Sequence, residues 1–376
     1  MQKQHIAVLC GGQSAEHEIS LLSAANVIRE LDRQRFDVSI IYITKEGRWL
    51  LAVNEQHFLQ QAQAMHIDTA CLTPLVLQPG LSRKPLLNLT TQQPISIDCV
   101  FPVLHGVCGE DGTMQGLLRI LNVPYVGCGT MSSAICMEKH IIKQLLRHSG
   151  IPTLDWVALH HSEKNLFNYA DIAKQLAPVM FMKTVTSGSS IGVYKVRNEH
   201  DYNAALNEIF NYDNNIIVEK AVTARELEVS VLGNHHIIAT PPGEVLVYAD
   251  FYTYEAKYFD SEASKVVTPA EISDTLSHKL QELAIKAFQA VRGQGMARID
   301  FLVVDEDEIY LNEINSLPGF TNSSMYPKSW AAMGLSYQAL LSRLIEIAFE
   351  VYDEHKLMRV SIENFVNEQK EQHSAS

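Results

Sequence analysis

Two short stretches near the C-terminus carry the side chains best suited to chemistry. In MARIDFLVV, Arg298 and Asp300 are two residues apart, so on a strand they leave one face while Ala297, Ile299 and Phe301 fill the other. In IYLNEINS, Glu313 and Asn315 repeat that pattern. Two carboxylates and an amide oxygen on one face of neighbouring strands suit a hard cation, and magnesium carrying phosphate is the natural occupant. The same residues read equally well as a solvated edge with an Arg–Asp ion pair. The SLPGFTNSS that follows favours a site, because Gly319 lets backbone N–H groups approach a ligand and Ser323 and Ser324 add hydroxyls.

Four further stretches are chemically suggestive. In FMKTVTSGSSIGVYKV, Lys183 ends a strand before a Gly-Ser hairpin that either drapes over phosphates or is merely flexible. In IIVEKAVTARELEVSV, a strand exits at Glu219-Lys220 and Glu226 opens the next; a nucleotide base and ribose would fit, but a plain hairpin accounts for this stretch alone. FYTYEAKYFD surrounds Glu255 and Lys257 with aromatics at neither helical nor strand spacing, which suggests a lid. HGVCGEDGTMQG places His105, Glu110 and Asp111 on a Gly-rich turn after a strand. The N-terminal HIAVLCGGQSAEHEIS has the strand, glycine turn and helix of a phosphate cradle. It lacks the third glycine of a dinucleotide fingerprint, and Glu16 and Glu18 stand where an anion would arrive.

The elements that must position these groups follow from periodicity. In the first third, strands at Ile6–Leu9, Val38–Ile43 and Asp98–Leu104 alternate with helices at Ile19–Leu31 and Thr113–Leu121, predicting a doubly wound parallel α/β sheet. The polar stretch Thr73–Pro94 reads as irregular. One helix is expected from Ser132 to His148, closed by Gly150 and Pro152. Shorter strands follow at Val179–Lys183, Gly192–Val196, Ile216–Glu219 and Leu227–Leu232, with helices near 162–176 and 199–209. A helix near 271–292, strands Met296–Val303 and Ile309–Ile314, and a helix near 335–352 complete the chain before a polar tail.

At 376 residues the chain exceeds one ordinary core. Three units are expected: 1–130, 131–232, and 233–376 with a lid loop at 248–266 and the cation site. A net charge of −13 disfavours nucleic acid and anionic membranes as partners. No stretch approaches the ~20 apolar residues of a membrane span, and no export signal is evident, so a cytoplasmic location is expected. The six cysteines form no C-x-x-C pair and read as reduced thiols in apolar surroundings, not a zinc site.

The ordered motifs G-G-x-S-x-E-x-x-x-S, H-G-x-x-G-E-D-G-x-x-Q-G, G-S-S-x-G, Y-x-Y-E-A-K-Y and N-E-x-N-x-x-P-G-x-T-x-x-S closely resemble the D-alanine–D-alanine ligase family of ATP-grasp enzymes, from Ile6 to about Tyr352. The resemblance implies a doubly wound parallel-sheet domain followed by a two-lobed ATP-grasp fold, of α+β character in its lobes. It implies ATP-dependent joining of two D-alanines for peptidoglycan synthesis, with two magnesium or manganese ions and a homodimer. By the same resemblance, Lys139 and Lys183 contact phosphates, Glu219, Lys220 and Val222 line the adenine pocket, and Glu226 meets the ribose. Lys257 on the lid reaches the γ-phosphate, and Asp300, Glu313 and Asn315 hold the metals. Arg298 and the Gly319 N–H stabilise the tetrahedral oxyanion. Glu16 takes the first D-alanine's ammonium near His105, and Glu16, Ser189 and Tyr258 tie the lid shut. Ser324 and Met325 anchor the second carboxylate, and the stretch Tyr252 to Tyr258 selects a D-amino acid over D-lactate.

Two positions depart from the usual pattern: no proline follows Lys183, and Thr253 stands where aspartate is frequent. Both bear on lid movement and leave the matched groups in place. A nicotinamide-dependent oxidoreductase would need the full fingerprint that CGGQSAEHE lacks. A non-catalytic ATP-binding module would be expected to have lost Asp300, Glu313 and Asn315. Against other ATP-grasp ligases or carboxylases, the discriminating residues are Glu16, His105 and Tyr258.

Overall fold

Ile6 to Cys10 are apolar at every position, and a strand of that kind is stable only when covered on both faces. They lie wholly inside β1 (Gln4–Gly11), the innermost parallel strand of a seven-stranded sheet. The computed structural model describes residues 3–81, 83–188, 192–247, 264–306 and 308–357. β1 runs parallel to β2 (Phe36–Ile43) on one side and β7 (Cys99–Pro102) on the other, with helix α1 (His17–Glu30) crossing from β1 to β2. Among the described strands, parallel pairing is confined to these three, with one isolated parallel bridge from Val100 to Tyr125 beyond them. Beyond β2 the sheet continues antiparallel through β3 (Trp49–Ala52), β4 (Leu72–Leu77), β5 (Leu86–Asn88) and β6 (Gln93–Ile95), with α2 (Glu55–Gln63) between β3 and β4. The stretch expected to be irregular therefore contains three strands. Leu75 and Leu86 are buried and supply an apolar face that the intervening polar residues obscure.

After α3 (Thr113–Ile120), the single helix expected over 132–148 is two, α4 (Thr130–Met137) and α5 (Lys139–His148). Glu138 leaves helical geometry at φ −89 and ψ 99, and its side chain accepts the Ile141 N–H at 2.5 Å. It thus starts a new helix, with glutamate in a capping role more usual for Ser or Asp.

The second sheet has the order β10-β9-β11-β8 and is antiparallel throughout: β8 (Trp156–His160), β9 (Met180–Thr184), β10 (Val193–Val196) and β11 (Asn215–Lys220). Met180, Met182, Ile216 and Val218 face α6 (Tyr169–Gln175) and α7 (Glu199–Ile209), with Ile172 and Tyr202 in the same core. The period of two sends Phe181, Lys183 and Glu219 to the opposite face. α6 is shorter than the expected 162–176, because a 3-10 turn at His161–Glu163 and a loop precede it.

The third sheet joins β12 (Arg225–Gly233), β13 (Ile238–Ala239), β14 (Gly243–Val247), β15 (Ser264–Val267), β16 (Gly295–Val303) and β17 (Ile309–Asn315), in the order β15-β14-β12-β16-β17 with β13 on β12. α8 (Asp274–Ala290) and α5 cover its apolar face of Leu227, Val229, Ile299, Phe301 and Leu311. α9 (Met325–Ala332) and the long α10 (Tyr337–Leu357) follow. Leu340, Leu341, Leu344 and Ile345 of α10 share a core with Ile6, Val8 and Phe101 of the first sheet.

The last residues of the expected lid, from Ser264, belong to β15; the rest of that lid, with Tyr252, Thr253, Lys257 and Tyr258, lies outside the described residues, as do Ser189 and the polar tail. All six cysteines are free thiols; Cys71 is exposed and Cys108 half-buried, so apolar surroundings hold only for Cys10, Cys99, Cys128 and Cys136. No described helix is long and apolar enough to cross a membrane.

Candidate active site

β1 ends in a turn that only glycine makes easily. Gly11 and Gly12 have φ of +87 and +98, and a Cβ on Gly11 would run into the Ile43 carbonyl. The turn is held by Gly11 N–H donating to Ser20 Oγ at 2.8 Å and Gly12 N–H to the Ile43 carbonyl at 2.8 Å. His17 Nδ1 lies 2.7 Å from the Gly12 carbonyl. The chain is thereby brought to Glu16, the buried residue preceding α1.

His105 stands after β7 at the neighbouring strand end, also buried, with Nε2 3.3 Å from Ser23 Oγ and Nδ1 3.5 Å from Glu110 Oε1. Glu110 accepts the Gly106 N–H at 3.0 Å. Burial raises the Glu110 carboxyl above its usual range, and the charge of Glu16 adds to that rise against the pull of His105. Two acids and an imidazole therefore gather at the carboxyl ends of β1 and β7, where open α/β sheets place their ligands.

On the second sheet, Glu219 is 1% exposed and lies between two ammonium groups: Lys143 Nζ is 2.5 Å from Oε1 and Lys183 Nζ 2.5 Å from Oε2. Burial alone would raise this carboxyl; Lys183 and Lys143 outweigh it and bring the pKa down to about 2. Lys183 is correspondingly raised, its pairing with Glu219 exceeding its own desolvation, while burial leaves Lys143 lowered. Lys139, one turn before Lys143 on α5, donates to the Ser187 carbonyl at 2.5 Å and so fastens the helix to the Gly-Ser loop. That loop reaches the first sheet, since a Cβ on Gly188 would stand 3.6 Å from Glu16 Oε2.

On the third sheet the strand register assembles the remaining groups. Asp300 faces Glu313 on β17 and Glu228 on β12, and Arg298 faces Asn315. A bulge follows Asp300. Arg298 donates from Nε to Asp300 Oδ1 at 2.8 Å and from its terminal nitrogen to Oδ2 at 2.7 Å, with Glu228 3.0 Å from Nε. The Asn315 amide lies 2.9 Å from Asp300 Oδ2. Among the described residues no three His, Cys, Asp or Glu side chains gather as a metal site. Asp300 and Glu313 are two carboxylates, and the third oxygen of the expected set belongs to an amide.

Gly319 sits on the loop before α9, where the Thr321 N–H donates to Ser324 Oγ at 3.0 Å. Ser324 occupies the N-cap of α9 without a side-chain cap bond. Met325 is 3% exposed, with its sulfur packed against Gly243, so its backbone N–H and not its side chain is what it can offer a ligand. Lys220 and Val222 are half-buried at the exit of β11, and Glu226 is exposed at the start of β12.

The expected residues thus fall into three groups on three sheets. Two neighbours escaped sequence reasoning. Lys143 stands four residues after Lys139, a helical spacing that places both on one side of α5. Glu228 stands two after Glu226, on the polar face of β12. Both signals are periodic and carry no motif.

Comparisons with known proteins place the chain in a family. Residues 5–128 match the family model described as D-ala D-ala ligase N-terminus, and residues 145–346 the one described as D-ala D-ala ligase C-terminus. The chain is 40% identical to the D-alanine–D-alanine ligase of Proteus mirabilis over 96% of this chain and 100% of that one. The solved structure of the D-alanine–D-alanine ligase from Coxiella burnetii superposes with a TM-score of 0.86 at 38% identity, covering 100% of both chains. The VanG D-Ala:D-Ser ligase of Enterococcus faecalis gives 0.83 at 34%, covering 92% of this chain and 100% of that one. With both family models matched in order and a buried acid, a paired lysine set and a carboxylate pair on successive sheets, the chain belongs to the D-alanine–D-alanine ligase family.

Proposed function

We propose that the chain joins two D-alanine molecules at the expense of ATP, releasing ADP and phosphate, for cell-wall peptidoglycan. One observation carries the assignment of substrate sites: buried Glu16, on the first sheet, meets Gly188 of the Gly-Ser loop on the second. An ammonium held by Glu16 leaves an amino acid's carboxylate beside a loop suited to phosphates.

The carboxylate oxygen of the first D-alanine attacks the γ-phosphorus as the bond to ADP breaks. The amine of the second, its ammonium proton given up, then attacks the acyl carbon, and the tetrahedral adduct expels phosphate as the nitrogen passes its next proton to that departing group. Glu16, with His105 beside it, orients the first substrate. Lys139 and Lys183 hold phosphates, Glu219, Lys220 and Val222 the adenine, and Glu226 the ribose. Arg298 and the Gly319 N–H face the oxyanion. Ser324 and the Met325 N–H, at a helix N-terminus, receive the second carboxylate. Ser189, Tyr252, Lys257 and Tyr258 complete the set on the loop and lid, closing over the acyl phosphate and keeping water away.

Hard oxygen donors facing each other in strand register suit magnesium or manganese, so Asp300, Glu313 and Asn315 would hold two such ions. When bound, they neutralise phosphate charge and make the γ-phosphorus approachable to an anion. We further infer three units, 1–130, 131–232 and 233–376, a homodimer, and a cytoplasmic location. The similarity to a D-Ala:D-Ser ligase makes D-serine the competing second substrate. Phosphate release from ATP and magnesium should require D-alanine and be absent with L-alanine. In competition between D-alanine, D-serine and D-lactate near neutral pH, D-alanyl-D-alanine should dominate; a majority of either other product overturns the substrate assignment.

A further inference from the structure

Lys143 is 2% exposed, the most deeply buried cation among the described residues. Its Nζ touches Glu219 Oε1 at 2.5 Å and lies 5.8 Å from the Trp156 ring centroid. Trp156 is the cross-strand partner of Glu219, so the ring and the carboxylate stand on the same face of the sheet, with Lys143 beside both. The other oxygen of Glu219 is taken by Lys183, which is 18% exposed and stands where β9 runs out into the Gly-Ser loop. The two lysines are not equivalent: Lys183 can turn toward a phosphate, whereas Lys143 is walled in. Once Lys183 turns away, Glu219 would be a buried anion without a counter-charge unless Lys143 stays. Lys139, a turn earlier, ties α5 to the Ser187 carbonyl and keeps Lys143 in place.

We propose that Lys143 is the positioning residue of the nucleotide site: it fixes the Glu219 carboxylate toward the purine amino group and remains its counter-ion when Lys183 engages phosphate. This rests on the adenine assignment of Glu219. Lys143 itself touches no substrate and acts through Glu219 alone.

The test uses the full-length enzyme and two nucleotides, ATP and inosine triphosphate, in which a carbonyl replaces the amino group. Lys143→Met should raise KM for ATP roughly tenfold, as expected for a lost charge-assisted contact, with kcat at saturating ATP within about twofold. Its preference for ATP over inosine triphosphate should fall by a similar factor, a change that general loosening of the fold would not produce. Lys143→Arg should recover most of that preference. In a Glu219→Met background, adding Lys143→Met should weaken ATP no further, because the residue through which it acts is gone.

A Lys143→Met enzyme that keeps wild-type KM and preference, while Glu219→Met loses them, overturns the role of Lys143 alone. A Glu219→Met enzyme that keeps its preference overturns the adenine assignment together with it. Should Lys143→Met fail to fold, the milder Lys143→Gln decides: a KM and preference shifted toward those of Glu219→Met support positioning, and wild-type values overturn it.

Discussion

Arg298 grips both oxygens of Asp300, two residues along the same strand, at 2.8 and 2.7 Å. Asp300 and Glu228 raise the already high pKa of this guanidinium further, over the opposing effect of burial. A planar fork can hold both oxygens of a carboxylate with one edge and still aim an N–H in a fixed direction, a geometry that the freely rotating ammonium of lysine does not impose. Arg298→Lys should therefore lower kcat on the order of a hundredfold. Steady-state kinetics check this, and a kcat within threefold of wild type would remove Arg298 from the oxyanion site.

Glu313 faces Asp300 across β16 and β17, half-buried, with its charge felt by Lys139, Lys183 and Arg298. Glu313→Ala should abolish phosphate release while unfolding stability stays within about 1 kcal/mol of wild type. Chelating divalent metal should have the same effect on the wild type. Near-normal turnover in the variant would withdraw the metal assignment.

Gly106 has φ +73, and a Cβ there would come 2.6 Å from Ser14 Oγ and 2.9 Å from Glu16 Oε2. Gly106→Ala should cost roughly 1–2 kcal/mol in backbone strain and crowding. Displacement of Glu16 should raise KM for D-alanine and leave KM for ATP unchanged. Urea unfolding and kinetics with each substrate varied in turn separate the two effects.

Glu219 supplies a pH dependence whose sign is fixed by its neighbours. Its folded pKa, about 2, lies below the ~4.3 of an unfolded glutamate. Its contribution, on the order of 3 kcal/mol, is complete above the unfolded value and disappears as pH falls from about 5 toward 2. In urea unfolding at stepped pH, the stability gap between wild type and Glu219→Gln should narrow across that window. A constant gap would mean that Glu219 does not carry this linkage.

Much of the site was legible because strands write it in period two. Asp300 stands between buried Ile299 and Phe301, and buried Ile314 separates Glu313 from Asn315, so their shared face could be read directly. Lys143 was not legible, because a lysine among apolar helix residues ordinarily faces solvent, and only the distant Glu219 makes burial possible. The antiparallel extension was hidden for a similar reason: Pro74, Pro94 and the polar residues between them suppress local strand propensity, which pairing with β3 and within the hairpins overrides. The break at Glu138 was masked by continuous helical periodicity on both sides of it. The charge of Glu16 and the missing third glycine spoke against an anion at that loop, while the expected ammonium role of Glu16 came from the family resemblance.

The packing of α10 against β1 and β7 has a consequence for how the chain is made. The first sheet is synthesised early, yet part of its core consists of Leu340, Leu341, Leu344 and Ile345. A nascent chain emerging from the ribosome thus holds its N-terminal sheet with an uncovered apolar face until α10 arrives, a long wait between contacts distant in sequence. Truncation ahead of α10 would strip that cover from the sheet whose strand ends carry Glu16 and His105, far from the cut, so late stop codons would act on those residues through the core beneath them.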